Sequence, residues 1–166
     1  MAKTRKTPYT WIAEGLKALP KSGPDVLRAE TLARAIGTTK GSFYWHFKDV
    51  PDFHAKLLDH WKSAALDRFN TIVAEHDTAV AQLRALNAYR PNPTDRAVRA
   101  WSGHSKAAKK SVDAVDAAII EFLSELLSAM DATHPDFPGL VHATLMAAPK
   151  GGSHVETLVD LLLVLK

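Results

Sequence analysis

The run from Glu30 to Asp49, ETLARAIGTTKGSFYWHFKD, constrains the chain more than any other. Leu32, Ala33 and Ile36 recur at helical spacing, and Gly37 follows where a helix commonly ends in a left-handed residue. Thr39 then stands where its hydroxyl reaches the N–H of Ser42, which predicts the cap of a second short helix. On that helix Phe43 and Phe47 sit four apart and predict a buried side. Lys40, Ser42, Tyr44, Trp45 and His46 supply polar or stacking tips for the other side. Two short helices across a glycine turn, with one face anchored and one presented, form the arrangement that reads a DNA major groove.

The remainder of the chain reads as helix after helix, with no alternating strand pattern and no internal repeat. A first helix is predicted over Thr10–Leu19, ended by Pro20 and by the Ser-Gly-Pro at 22–24. Asp49 reads as the cap of a long fourth helix with Pro51 in its first turn, and Phe53, Leu57, Trp61, Ala65, Phe69 and Val73 keep one stripe along it. Helical segments follow over Thr78–Tyr89 and Thr94–Trp101. From Ser105 a longer one carries Val112, Val115, Ile119, Phe122, Leu126 and Met130 on its core face. After breaks at 133–138 and 149–152, Ser153 and Glu156 predict a capping box for a last helix that is apolar nearly all round. Such a helix needs cover on more than one side, which points to pairing with a second copy through Leu158, Val159, Leu161, Leu162 and Leu165. The expected architecture is all-α. An N-terminal three-helix helix-turn-helix domain is expected over 1–52 and a C-terminal helical dimerisation and ligand-binding domain over 53–166.

Charge is unevenly placed. Residues 1–62 hold 11 Lys or Arg against 6 Asp or Glu, whereas the remainder holds 10 against 12, so the basic excess lies in the half with the helix-turn-helix run. A polyanionic partner for that half follows, because phosphate neutralisation supplies most non-specific affinity. The absence of cysteine removes disulfides, thiolate metal ligands and thiol redox chemistry. The basic start MAKTRKTPYT lacks the apolar stretch of a signal peptide, and Leu158–Leu165 is too short to span a bilayer, so a cytoplasmic protein without a membrane partner is expected.

The segment Trp11–Trp61 resembles the N-terminal domain of the TetR (tetracycline-repressor-like) transcription regulators, through the run KGSFYWHFK at Lys40–Lys48. The resemblance implies a DNA-binding regulator, a repressor by expectation, that sits as a homodimer on a near-palindromic duplex operator. It also implies that Thr39, Lys40, Tyr44, Trp45 and Lys48 touch bases or phosphates, with Thr39 and Lys40 opening the recognition helix. Arg28 departs from the Thr or Ser that often starts the second helix, and Pro20 follows Leu19 where an aromatic residue is common. The C-terminal part is similar to the family's dimerisation domain less specifically, through Arg-Ala-Trp at 99–101 and the Val-Asp-Ala-Val-Asp helix after it, and it is short for the family.

Each candidate residue has a plainer reading beside the functional one. Lys40, Thr39, Thr38, Ser42 and Tyr44 would singly be a solvated helix face, and only their order on one helix points to DNA. Trp45 lies off the Phe43–Phe47 stripe and either meets DNA or packs on a neighbouring helix. His46 reaches a phosphate or serves the turn before the fourth helix. Lys3, Arg5 and Lys6 form a basic arm suited to phosphates or the minor groove. Lys48 is placed to hold a phosphate together with the free N–H groups of the fourth helix, and Arg28 to do likewise. Trp61, Phe69, Tyr89, Trp101 and His104 are either aromatic core or the lining of a pocket for an apolar or aromatic effector. The eight histidines include no HxxxH or HExxH pair, so neither a metal nor a cofactor is expected. No nucleophile elbow or phosphate loop supports an enzyme. The alternative to a DNA-binding regulator is a helical dimerisation or protein-interaction module without sequence-specific DNA binding.

Overall fold

Every regular element of the computed structural model, which describes residues 6–147 and 154–164, is helical. These residues form two compact units that do not follow chain order. The first comprises the chain to Ser63 with Asn92–Val112, and the second Ala64–Pro91 with the chain from Asp113. The contacts thus cut the chain elsewhere than at the 52/53 boundary expected from sequence, because a later helix returns to pack with the N-terminal ones.

In the first unit, α1 (Pro8–Ser22) is opened by a capping box between Thr7 and Thr10 with Pro8 in its first turn. It does not stop at Leu19. Pro20 lies inside its last turn, where it cannot donate to the Leu16 carbonyl; the Thr94 hydroxyl approaches that oxygen at 3.5 Å, and Gly23 at φ 73° closes the helix onto the Leu19 carbonyl. A short 3-10 helix (Pro24–Val26) leads into α2 (Ala29–Ala35), then α3 (Lys40–Tyr44) and α4 (Val50–Ala74). The later part is α6 (Pro93–Ser102) and the start of α7 (Lys106–Ser128).

The core of this unit is aromatic. The Phe43 ring lies 5.3 Å from Trp11, 4.9 Å from Phe47 and 5.4 Å from Phe53, between centroids, and all four residues are buried. Gly15 makes the assembly possible. A Cβ there would stand 2.7 Å from Leu57 Cδ1, 3.0 Å from Phe53 Cζ and 3.3 Å from Leu27 Cδ2, so the bare backbone of α1 is what lets α4 close against it.

A polar joint ties α6 to α4. The Trp61 indole N–H donates to Asp95 Oδ1 at 2.9 Å, while Asp95 Oδ2 accepts the Asn92 N–H at 2.7 Å and Asn92 Oδ1 accepts the Asp95 N–H at 2.9 Å. The buried carboxylate is therefore held by a helix cap and an indole together.

In the second unit, α5 (Ala79–Ala85) is capped by Thr78 and continues as a 3-10 turn over Leu86–Ala88; α8 (Phe137–Ala147) and α9 (His154–Val164) follow the rest of α7. Phe69 meets Tyr89 at 5.5 Å and Phe122 at 5.4 Å, edge on. The α4 stripe is buried from Phe53 to Val73 as its spacing predicts. On α7, Leu123 and Leu127 join the core while Phe122 stays half-buried, and Met130 lies just beyond the helix end. On α9, Val155, Val159 and Leu162 are buried while the apolar Leu161 and Val164 are exposed, so one face is core and apolar side chains remain outside it. The expected Ser153 cap lies outside the described residues.

Filling the gap at Gly15 should be costly. Gly15→Val is expected to lower the stability of the folded chain by about 1 to 3 kcal/mol, the usual range for overpacking a tight core. Thermal or urea unfolding measures it, and an unchanged midpoint would mean that Leu57 and Phe53 give way without strain.

Candidate nucleic-acid interface

The helix-turn-helix geometry follows from a few local bonds. Gly37 takes φ 67°, and the Thr38 N–H returns to the Ala33 carbonyl at 2.9 Å, ending α2. Thr39 accepts the Ser42 N–H on its hydroxyl at 3.4 Å and begins α3. The second helix is shorter than the two turns expected. It has five residues, Trp45 caps its C-terminus, and His46 and Phe47 lie in the turn beyond, with both their N–H groups on the Phe43 carbonyl at 3.0 Å. Burial of Phe43 and Phe47 fixes which way this turn faces.

Around the buried pair, Thr39, Lys40, Tyr44, Trp45 and Lys48 are exposed, while Thr38, Ser42 and His46 are half-buried. Trp45 is 82% exposed, which settles its packing: it covers no neighbouring helix in this unit. Arg28 is also exposed. It occupies the N-cap position of α2 without a side-chain cap bond and pairs with Asp25 at 3.5 Å. Lys6 is half-buried, and Lys3 and Arg5 lie outside the described residues.

Two carboxylates pair with lysines beside these residues. Glu30, on the first turn of α2, receives Lys40 Nζ at 2.7 Å. The Lys40 ammonium holds the Glu30 carboxyl below its ordinary range, and Glu30 raises Lys40 in turn. No periodicity joins residues ten apart across a turn, so the pair had no signal in the sequence. Asp52 takes Lys56 Nζ at 2.8 Å and the Lys48 N–H at 3.0 Å, and those two contacts in that order hold its carboxyl low. Asp49 Oδ1 accepts the Asp52 N–H at 2.8 Å. The N–H groups expected to be left free for a phosphate beside Lys48 are thus partly taken by the helix's own acids. Lys48 is left to act through its side chain.

His54 lies behind this surface. Its Nε2 is 3.1 Å from the Leu27 carbonyl, and because a carbonyl only accepts, that nitrogen carries the proton. Its ring meets Trp101 edge-on at 5.0 Å. Trp101 and His104, with Leu19, Pro20, Pro24 and Ala97, line an open cleft of about 370 Å³ between α1 and α6. The five aromatic or histidine residues considered for one pocket do not share it. Trp61, Trp101 and His104 belong to the first unit and Phe69 and Tyr89 to the second; Trp61, Phe69 and Tyr89 are core, and His104 is exposed. For the pairing surface, Val159 and Leu162 serve the core of their own unit, Leu158 is half-buried, and Leu165 lies outside the described residues. Leu161 at 54% and Val164 at 81% are the apolar side chains that α9 exposes.

No family model matches the chain, and no curated protein matches it in sequence. Solved structures do match. The reduced form of NemR from E. coli aligns over 96% of this chain and 94% of its own, with a TM-score of 0.71 at 17% identity. A TetR-family transcriptional regulator from Rhodococcus sp. aligns over 94% and 98%, at 0.71 and 17%. The chain has the fold of the TetR-family regulators. The superantigen PfiT also shares it, over 99% of this chain and 97% of its own, with a TM-score of 0.72 at 15% identity, so this fold by itself does not fix a function. Among the described residues no helix is long and apolar enough to cross a membrane, and no cluster of His, Asp or Glu could hold a metal ion.

Burial depresses the His54 pKa against the smaller opposing effect of the Leu27 bond. A depressed imidazole makes the folded state bind fewer protons than the unfolded one, so its contribution is full above the ordinary value of 6.5 and is lost as pH falls through the lower folded value. The melting temperature should therefore drop on acidification below neutrality, and His54→Gln should flatten that drop. A wild-type melting temperature that is level across this window would contradict the assignment.

Proposed function

We propose that this protein is a DNA-binding transcriptional regulator, acting as a repressor, that binds a near-palindromic operator as a homodimer. One observation carries the reading: an anchored helix, with Phe43 and Phe47 buried, presents Thr39, Lys40, Tyr44 and the strongly exposed Trp45 on its outer side. An exposed indole beside an ammonium and hydroxyls suits a groove floored by base edges and walled by phosphates. The basic excess of the first 62 residues and the regulators that share the fold support the same reading. Lys40, Thr39 and Trp45 are assigned to base edges, and Tyr44, Lys48 and the arm with Lys3, Arg5 and Lys6 to phosphates. Leu161 and Val164 are the α9 side chains offered to a second copy.

Selection of bound sequences from a random duplex pool tests both parts at once. An enriched palindrome supports base reading by a pair; no enrichment would favour a helical interaction module. On the selected site, Lys40→Ala is expected to cost roughly 1 to 3 kcal/mol and relax the sequence preference, whereas Lys48→Ala should weaken specific and random duplexes alike and flatten the salt dependence. Equal losses on both duplexes for Lys40→Ala would remove Lys40 from base reading.

An apolar or aromatic effector completes the proposal, with the cleft beside Trp101 as its site. The cleft volume falls in the range of about 300 to 1,000 Å³ usual for small-molecule sites. A molecule seated there leans on Trp101, which touches His54, which in turn holds the Leu27 carbonyl just ahead of α2. Ligand and operator should then weaken one another by the same factor. An apolar compound library that neither alters tryptophan emission nor releases operator DNA, while Ala97→Phe is equally silent, would leave regulation to abundance alone.

A further inference from the structure

Lys40 is assigned to base reading, yet in the free protein its ammonium is already engaged. Glu30 Oε1 lies 2.7 Å from Lys40 Nζ, with side-chain exposures of 68% and 53%, so the pair stands in solvent at the start of α3. The two residues come from different helices. The turn at Gly37, with α2 and α3 packed together, brings the first turn of one helix to the first residue of the other.

A carboxylate on a DNA-facing surface is unfavourable by itself. Any duplex brings phosphates near Glu30, and Lys40 must leave its partner to take up a phosphate. The loss is the same for every sequence, because phosphates are the same everywhere. A base edge offers more. Where the groove gives Lys40 acceptors such as guanine O6 and N7, direct hydrogen bonds offset the loss of the pair, and only there.

We propose that Glu30 is a specificity-determining residue: it holds Lys40 as an intramolecular counter-ion, suppressing binding to phosphates alone so that Lys40 is released only where its base partner is present. The proposal rests on the DNA-binding reading above and assigns within it a residue that has no attractive contact of its own with DNA. Arg34 adds only a weaker attraction on Glu30, so Lys40 is its principal partner.

The test is a double-mutant cycle on the full-length protein, with Kd measured against salt on the selected site and on a random duplex. Glu30→Gln is nearly isosteric and exposed, and its melting temperature reports that the fold is kept. Expected is a roughly 3- to 10-fold tighter Kd on the random duplex and a salt slope steeper by about one phosphate's worth, ~0.9, with a smaller gain on the selected site and so a lower ratio of specific to random binding. In a Lys40→Gln background the same Glu30→Gln change should have little effect, since the counter-ion then has nothing to hold. If Glu30→Gln tightens binding equally with and without Lys40, Glu30 acts only as a distant repelling charge and the proposal is overturned. It is likewise overturned if random-duplex binding is unchanged. A wild-type protein that prefers no duplex at all overturns the DNA-binding reading itself, and this outcome is distinct because it is seen before any variant is made.

Discussion

The interface depends on Phe43 reaching the aromatic cluster of Trp11, Phe47 and Phe53. A helix of five residues cannot hold itself together in water, because nucleating a turn fixes several residues for each hydrogen bond gained. Burying a phenylalanine stabilises by about 1.5 to 3 kcal/mol, and each well-placed aromatic pair adds about 0.5 to 1.5 kcal/mol, so the two phenylalanines are what make α3 persist. The exposure of Trp45 follows from the same packing. With Phe43 and Phe47 turned inward and Trp45 midway between them, its ring has nowhere to go but out. Gly15 belongs to this constraint too, since without the close approach of α1 to α4 the Phe53 side of the cluster would not close.

The Asp95 joint does for α6 what the phenylalanines do for α3. A carboxylate buried this deeply is tolerated only when its oxygens are answered, and here the Trp61 indole and the Asn92 backbone answer one each. That fixes the start of α6, and with it Trp101 two turns along, beside His54. The result is a continuous path of side chains from α6 to the Leu27 carbonyl. Such a path transmits a signal only if one of its members has two arrangements of similar energy. His54 is the natural member for this, half-buried and held by a single bond that its protonation state and the position of Trp101 both affect.

Much of this was legible in the residues themselves, for definite reasons. The α4 stripe and the Phe43–Phe47 pair are periodic, and the caps at Thr39 and Asp49 are local, so spacing alone finds them. Misreadings arose where the deciding partner is distant in sequence. Pro20 reads as a stop until Thr94 is seen to approach the carbonyl that it frees. On the last helix, composition cannot separate Val159 and Leu162, which fill their own core, from Leu161, which does not, so all three read as pairing residues. Lys40 reads as an uncommitted cation, since nothing in a linear pattern ties it to Glu30. Asn92 and Asp95, by contrast, carry a local capping signal in Asn-Pro-Thr-Asp that a helix start placed at Thr94 leaves out.

The brevity of α3 bears on why a second copy is part of the proposed function. One protomer offers Thr39, Lys40 and Trp45 as base readers, and a good base contact discriminates by about 1 to 3 kcal/mol. Three such contacts give about 3 to 9 kcal/mol, whereas specific sites are typically preferred over random DNA by about 4 to 10 kcal/mol, so a single short helix reaches that range only when all three contacts are well made. With Glu30 subtracting from Lys40's affinity for bare phosphate, a lone protomer would bind any duplex weakly. Two protomers on two half-sites double the discriminating contacts, and the weak affinity of each then becomes useful, because a single half-site met by chance does not retain the protein.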